Sequence, residues 1–324
     1  MMKRLSLSLS LTVATSVVLI VGGRAAADVI VDQDTTIDYG VASLIRVVDG
    51  ASPPTVLDIV PGGSAPYVSS EGSSIVNVDG GLVSNGVPSA VGITAVDSSV
   101  VNVLGGSVEC EDWSIHAYGT SEINISGGVV SVIEDIAVTA YGQSEVNVTG
   151  GEIVSDDFRG VAARDSSVVN VSGGIFNTDN EAVFAYDAGK VNVFGGTLNQ
   201  AAGASGTGVL NIFGGTIGDV SPTGLGICAE EAARVRVSGG TIRGRLLAVD
   251  SSIVTIVGYD LDLTGTLLTG TLADGTPLNH EAVAVDSGRF VLQNVPEPSS
   301  LVLALMGAAA GGLLGWRRRV GPNK

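Results

Sequence analysis

The chain has 324 residues, 45% of them hydrophobic but only 4% aromatic, so it can bury a sizeable core but must fill it with small aliphatic side chains. Acidic residues outnumber basic ones 33 to 16, and residues 28–297 alone hold 9 basic and 33 acidic side chains, a net charge of −24. That sign argues against nucleic acid as a partner, whose phosphates demand the opposite charge, and favours solubility or the capture of cations. Two cysteines and two histidines form no cluster, so no zinc-type or haem-type spacing exists.

Residues 1–27 begin with Lys3-Arg4, run apolar from Leu5 to Val21 and end in Ala25-Ala26-Ala27. A basic start, an apolar middle and small residues at the end predict a secretory signal peptide cut after Ala27. Residues 28–72 are less regular. Val29-Ile30-Val31, Ile37, Leu44-Ile45 and Val47-Val48 are short apolar runs and Pro53-Pro54 a breaker, which predicts an N-terminal cap and the first coils.

Residues 73–258 repeat. Gly-Gly pairs start at Gly80, Gly105, Gly127, Gly150, Gly173, Gly195, Gly214 and Gly239, and a degenerate one follows at Gly258, at intervals of 25, 22, 23, 23, 22, 19, 25 and 19 residues. Three positions before the pair stands Asn77, Asn102, Asn124, Asn147, Asn170, Asn192 or Asn211, after which the column decays to Arg236 and Thr255. Seven positions before that column lies an alanine, from Ala95 to Ala248. A period between about 20 and 50 residues marks stacked repeats, because one unit cannot bury its own apolar face.

Within a coil, Val168-Val169-Asn170-Val171 alternates at period two, with Val169 and Val171 inward and Asn170 outward. Glycines turn the chain into a short apolar strand such as Glu152-Ile153-Val154, and a loop leads to a third strand such as Val161-Ala162-Ala163. Helical spacing is absent and Val, Ile, Thr, Ser and Gly dominate. The pattern predicts an all-β, single-stranded parallel β-helix of ~22 residues per coil, right-handed as parallel crossovers generally are. Rungs ~4.8 Å apart give the asparagines the spacing of an amide ladder, and hold Cys110 and Cys228, five coils apart, about 24 Å from each other as unpaired thiols.

Residues 259–294, with the rhythm Leu263-Thr264-Gly265-Thr266-Leu267 and Thr269-Gly270-Thr271-Leu272, predict a hairpin-like closing cap over an otherwise open solenoid end. Residues 295–324 read Val295-Pro296-Glu297-Pro298, then sixteen apolar or small residues at 301–316, then Arg317-Arg318-Arg319. A helix over 301–316 is about 24 Å long, short for a permanent span but suited to a transient anchor with its arginines held on the cytoplasmic side. Gly307, Gly311 and Gly315 give it Gly-x-x-x-Gly steps that suit packing against another membrane helix.

Pro296-Glu297-Pro298, the apolar segment and Arg317, Arg318 and Arg319, in that order, resemble the PEP-CTERM sorting signal of Gram-negative bacteria. The resemblance implies a tail held in the inner membrane, an exosortase as processing partner, and release toward the cell surface or an extracellular polysaccharide matrix. The repeat body loosely resembles the repeat regions of other PEP-CTERM proteins.

Two outward features could carry chemistry. Tyr118, Tyr141, Arg164 and Tyr186 follow the core alanine in four successive coils and predict a stacked aromatic and guanidinium face, suited to sugar rings and acidic polysaccharide, or simply to a β face. Asp112, Asp135 and Asp157, each beside a second acid, and Asp179, two positions from Glu181, recur in the loop entering that strand, where a hard cation such as calcium would find oxygen ligands or where the charges merely solvate an edge. Asp156-Asp157 with Arg159, Arg164 and His116 can be cast as a polysaccharide-cleaving site, but no nucleophile elbow, phosphate loop or metal triad accompanies them. The expectation is an exported, surface-sorted solenoid with a structural or adhesive role and neither catalysis nor an obligatory cofactor. A carbohydrate- or calcium-binding module is the alternative, and a polysaccharide lyase or hydrolase a more distant one.

Overall fold

The computed structural model describes residues 28–85, 91–219, 221 and 224–296. They form an all-β parallel solenoid of about nine turns, with no helix among the described residues. Three ladders of short strands run its length. One carries the asparagines, as in Val168–Val171, one follows the Gly-Gly corner, as in Glu152–Ser155, and one carries the core alanines, as in Val161–Ala163. The second of these has nine strands, while the other two are joined at the C-terminal end into one 25-stranded sheet.

The registers follow the repeat. Asn102 pairs with Asn77 and Asn124, Asn147 with Asn170, Ala117 with Ala95 and Ala140. Val101, Val103, Val169 and Val171 are fully buried, as are Ile115, Ala117, Val161 and Ala163 from the third ladder. The core is therefore a column of β-branched and methyl side chains, with Phe176 the largest ring inside it.

Each asparagine amide donates to the asparagine one coil earlier, Asn102 to Asn77 at 2.8 Å, Asn147 to Asn124 at 3.2 Å and Asn211 to Asn192 at 3.0 Å. The series ends on an acceptor, the Asp58 carboxylate, 2.7 Å from Asn77 Nδ2. Amides aligned head to tail polarise one another, and the carboxylate satisfies the last donor.

The corners explain two further columns. Between the alanine and asparagine ladders one residue turns left-handed, Asp97 at φ 60° and Asp165 at 55°, or Gly119 and Gly142 in their place. Aspartate tolerates this region because its short side chain bonds nearby backbone, and Asp165 accepts the Gly142 amide at 2.9 Å. Two residues on, Ser99, Ser121, Ser144 and Ser167 are completely buried. Their hydroxyls donate to the preceding coil, Ser99 to Ser70 O at 3.0 Å and Ser167 to Ala140 O at 3.0 Å. This serine column sits in register three positions before the asparagines. At the Gly-Gly corner a β-carbon on Gly106 would stand 2.1 Å from Gly81 O, so coils approach there closer than any side chain allows.

The first coils begin at once, Val29–Val31 pairing with Ile45–Val47 and Thr35–Ile37 with Val56–Ile59. At the other end Ile253–Thr264 runs on past its coil, turns into antiparallel Leu267–Leu272 and then Pro277–Ala284, which rejoins the alanine ladder. Leu261, Leu268, Leu272 and Leu278 are buried beneath this hairpin. It closes the side of the last coil that the Gly-Gly ladder no longer covers. Cys110 and Cys228 are both free and buried.

Candidate functional site

The outward side of the alanine ladder is where the predicted face lies, and it is more covered than period-two alternation suggests. His116, Thr139, Ala162, Phe184 and Cys228 point away from the solenoid interior, yet none is more than 6% exposed. Side chains from the entering loops and from the residue after the alanine lie over them.

Tyr118 and Tyr141 stack with ring centroids 4.9 Å apart and planes within 6°. His116 is wedged among Trp113, Tyr118 and Tyr141 at 5.7, 5.8 and 5.6 Å, and its Nδ1 lies 3.1 Å from the Tyr118 hydroxyl. Burial, with the Arg164 charge as a second cause, pulls the His116 pKa down to about 4. Its Nε2 has no hydrogen-bond partner. The ring is neutral wherever the protein is near neutral pH, which makes it a packing element with a latent charge.

One coil further the Arg164 guanidinium lies 4.0 Å over the Tyr186 ring. All four predicted residues thus share one ridge, in two contact pairs. Burial raises the phenols of Tyr118, Tyr141 and Tyr186 above the ordinary tyrosine range.

Arg159, which the sequence offers only as a member of a castable cleavage site, is packed into the same cover. Its guanidinium is 4.2 Å from the Phe158 ring and 4.3 Å from the Phe184 ring, and it donates to the Tyr186 hydroxyl. It forms an ion pair with Glu181 at 2.7 Å, at an angle that is not that of a hydrogen bond, with side chains 14% and 12% exposed. Phe184 in turn requires Gly203 beside it, where a β-carbon would stand 2.5 Å from the ring. The sequence signal for this cluster was faint. A basic residue in a strongly acidic loop column and a glycine facing a phenylalanine in the next coil were its traces.

The acidic column is spread along the entering loops. Asp157 and Asp179 are exposed, while Asp135 is half-buried with Oδ1 accepting the Ile136 amide at 2.8 Å. Asp112, half-buried, lies on the first of these loops. Glu181 leaves the column to meet Arg159. Among the described residues no three of the His, Cys, Asp and Glu side chains converge on a point that could hold a metal ion. A depression of ≈ 300 Å³ lies on a neighbouring corner, lined by Glu109, Cys110, Glu111 and Ile133 among others, and burial raises the Cys110 thiol there.

At the C-terminal end the last rung, Arg289–Asn294, pairs with Ile253–Thr264, and Val295 N donates to Gly258 O at 2.7 Å. Pro296 follows, exposed. Residues 294–319 match the PEP-CTERM protein-sorting motif. The PEP-CTERM motif therefore starts at the last residue of the last rung. It implies export, a C-terminal membrane-anchored sorting step and processing by an exosortase in the membrane. Glu297, Pro298, Arg317, Arg318 and Arg319 lie outside the described residues, as do the predicted signal peptide at 1–27 and helix at 301–316. Among the described residues no helix is long and apolar enough to cross a membrane. No curated protein and no solved structure matches the chain.

Proposed function

We propose that this protein is an exported, non-catalytic β-solenoid that serves as a structural or adhesive element of the bacterial envelope or extracellular matrix. On this reading residues 1–27 direct export and are removed. Residues 301–316 then anchor the chain in the inner membrane until an exosortase cuts near Pro296, Glu297 and Pro298. The observation that carries it is the PEP-CTERM motif abutting the last paired rung of the solenoid. The non-catalytic part is supported by prior engagement of the residues a cleavage mechanism would use. His116 is buried and neutral, Arg159 is committed to Glu181, and Asp156 and Asp157 are exposed.

The test is mass spectrometry of the protein recovered from the surface of cells with and without a working exosortase. Loss of residues after the Pro-Glu-Pro triplet only when the exosortase is present supports the reading. Intact chain retaining residues 1–27 in the cytosol would sink it.

A second reading, glycan binding, is favoured by the exposed edge of the Tyr118–Tyr141 stack and by Arg164 on Tyr186. Stacked tyrosines and a nearby guanidinium suit a sugar ring and its carboxylate. Acidic polysaccharide should raise the melting temperature, and Tyr141→Ala should abolish the rise. The same melt with calcium tests whether the aspartate loops take a cation.

A further inference from the structure

Among the described residues none covers the outward surface of the asparagine ladder, and its pattern is self-complementary. Three columns point outward on it. The first contains Glu122, Glu145, Val168, Lys190, Val209 and Arg234 in successive rungs. The second is the asparagine ladder. The third, the residue before each Gly-Gly pair, contains Leu104, Ser126, Thr149, Ser172, Phe194 and Phe213.

The first column is acidic on the N-terminal side of Val168 and basic on the C-terminal side. Among the described residues Lys190 and Arg234 make no ion pair. The third column is bulky where the opposite half is small. Leu104, Phe194 and Phe213 are 49%, 53% and 42% exposed, and the two phenylalanines stack at 5.0 Å. Exposed apolar rings on one uncovered face of a soluble body mark an interaction surface.

We propose that this face binds a second copy of the chain, with the two solenoid axes antiparallel and a two-fold axis through the rung of Val168, Asn170 and Ser172. That axis, lying in the interface along the strand direction, sets each column against itself in reverse. One rung out, Glu145 meets the partner's Lys190 and Phe194 meets the partner's Thr149. Two rungs out, Phe213 meets the partner's Ser126. Three rungs out, Leu104 meets the partner's Ser238. Opposite charges and large-against-small side chains therefore coincide in one registration, whereas a parallel arrangement, with its two-fold along the solenoid axis, would set the charged column against the third column and pair no opposite charges. Closed two-fold association requires such a self-complementary patch. The surface from Ile75 to Ile253 measures about 40 Å by about 13 Å at ordinary strand spacing, or roughly 1,000 Å² for both copies. That is at the lower limit for a specific interface, the size class of weak, concentration-dependent association.

The test uses the full chain in a mild detergent, followed by sedimentation. Wild type should pass from monomer to dimer as its concentration rises. Lys190→Glu and Glu145→Lys should each weaken association by roughly tenfold or more, because each replaces two attractive pairs with two repulsive ones, and the double variant should restore it. Both positions are exposed, and a circular dichroism melt confirms that each variant folds. Ser172→Cys, at the axis, should be captured as a dimer by a short bis-maleimide, while Ser84→Cys on the Gly-Gly ladder should not. Native Cys110 and Cys228 are buried and give little background. A monomer at all accessible concentrations overturns the proposal. So does a dimer held by the C-terminal tail, which would be indifferent to both charge changes and would cross-link equally from Ser84→Cys.

Discussion

The asparagine face and the alanine face sit on the same rungs and treat their outward side chains in opposite ways. On the first, one residue type repeats and bonds to copies of itself, Asn170 to Asn147 at 3.0 Å and Asn192 to Asn170 at 2.9 Å. On the second, each coil contributes a different side chain, and the pieces fit one another rather than their own repeats. Tyr118 stacks on Tyr141, Arg164 on Tyr186, and Arg159 reaches from a loop to Phe184 and Glu181. A repeated column distributes stabilisation evenly, so that losing one member costs about one link. A heterogeneous cover concentrates it, and losing one member strands its partners.

The largest expected effect follows from the stranded-partner case. Glu181→Gln removes the charge facing Arg159 while leaving the guanidinium covered by Phe158 and Phe184. Breaking one side of a largely buried pair costs ~3–5 kcal/mol. Hydrogen exchange should show the loss localised to the coils of Val161–Ala163 and Val183–Ala185, since a solenoid contact is felt by its neighbours first. Replacing both partners, Arg159→Met with Glu181→Leu, should recover most of it. Equal loss in the single and double variants would show that the pair's charge is not what matters.

His116 gives a pH-dependent version of the same contrast. Its folded pKa of about 4 lies below the ordinary histidine value, so the unfolded chain binds the proton more readily. The folded state's advantage is complete above ~6.5, declines as pH falls toward ~4, and is constant below that, a loss of up to ~3 kcal/mol. The neighbouring rungs carry Thr94 and Thr139 at the same position, so His116→Thr suits the ladder. The variant should be less sensitive to acid than wild type between pH 6.5 and 4. Identical acid limbs in the two proteins would mean that the imidazole is not buried neutral.

The contrast also explains what the sequence made legible. Asn102, Asn124 and Asn147 announce their ladder because every rung has the same spacing to its Gly-Gly pair, and parallel pairing in register follows from that spacing alone. The same constancy places Ala117 over Ala95 and puts the two thiols in different coils, where both are free. Tyr118, Tyr141, Arg164 and Tyr186 could be put on one ridge because they are one residue from the alanine column. Arg159 and Glu181 could not. They stand in loops whose length varies between coils, so no register links them, and only the packing of Phe184 brings their charges together. The acidic loops are legible only as a recurrence: Asp112, Asp135, Asp157 and Asp179 keep their place from coil to coil, but among the described residues no three such side chains are grouped as metal ligands, so their spacing alone says nothing of a focus.

Gly203→Ala probes how tightly the cover is fitted. The added methyl would stand 2.5 Å from the Phe184 ring, which is pinned by Arg159 and cannot retreat freely. Overpacking of this kind costs ~1–3 kcal/mol. Combined with Phe184→Leu, which vacates the space, the alanine should be nearly neutral. A melting temperature unchanged by Gly203→Ala alone would mean that the layer is loose.

The smallest effect belongs to the repeated column. Asn147→Ala deletes its donation to Asn124 at 3.2 Å and its acceptance from Asn170 at 3.0 Å, but the position is only half-buried, so water can satisfy both neighbours. The expected cost is ~1 kcal/mol, that of ordinary hydrogen bonds exchanged for hydration. Asn147→Asp should cost more than alanine above the aspartate pKa, because a carboxylate cannot donate to Asn124 Oδ1 and stands beside Glu122, 3.4 Å from the native amide nitrogen. Lowering the pH until that carboxylate takes up a proton should restore the donor and bring the variant back toward wild type. If alanine and aspartate melt alike at neutral pH, the amides are not acting as a directed chain, and the asparagine column owes its regularity to strand geometry alone.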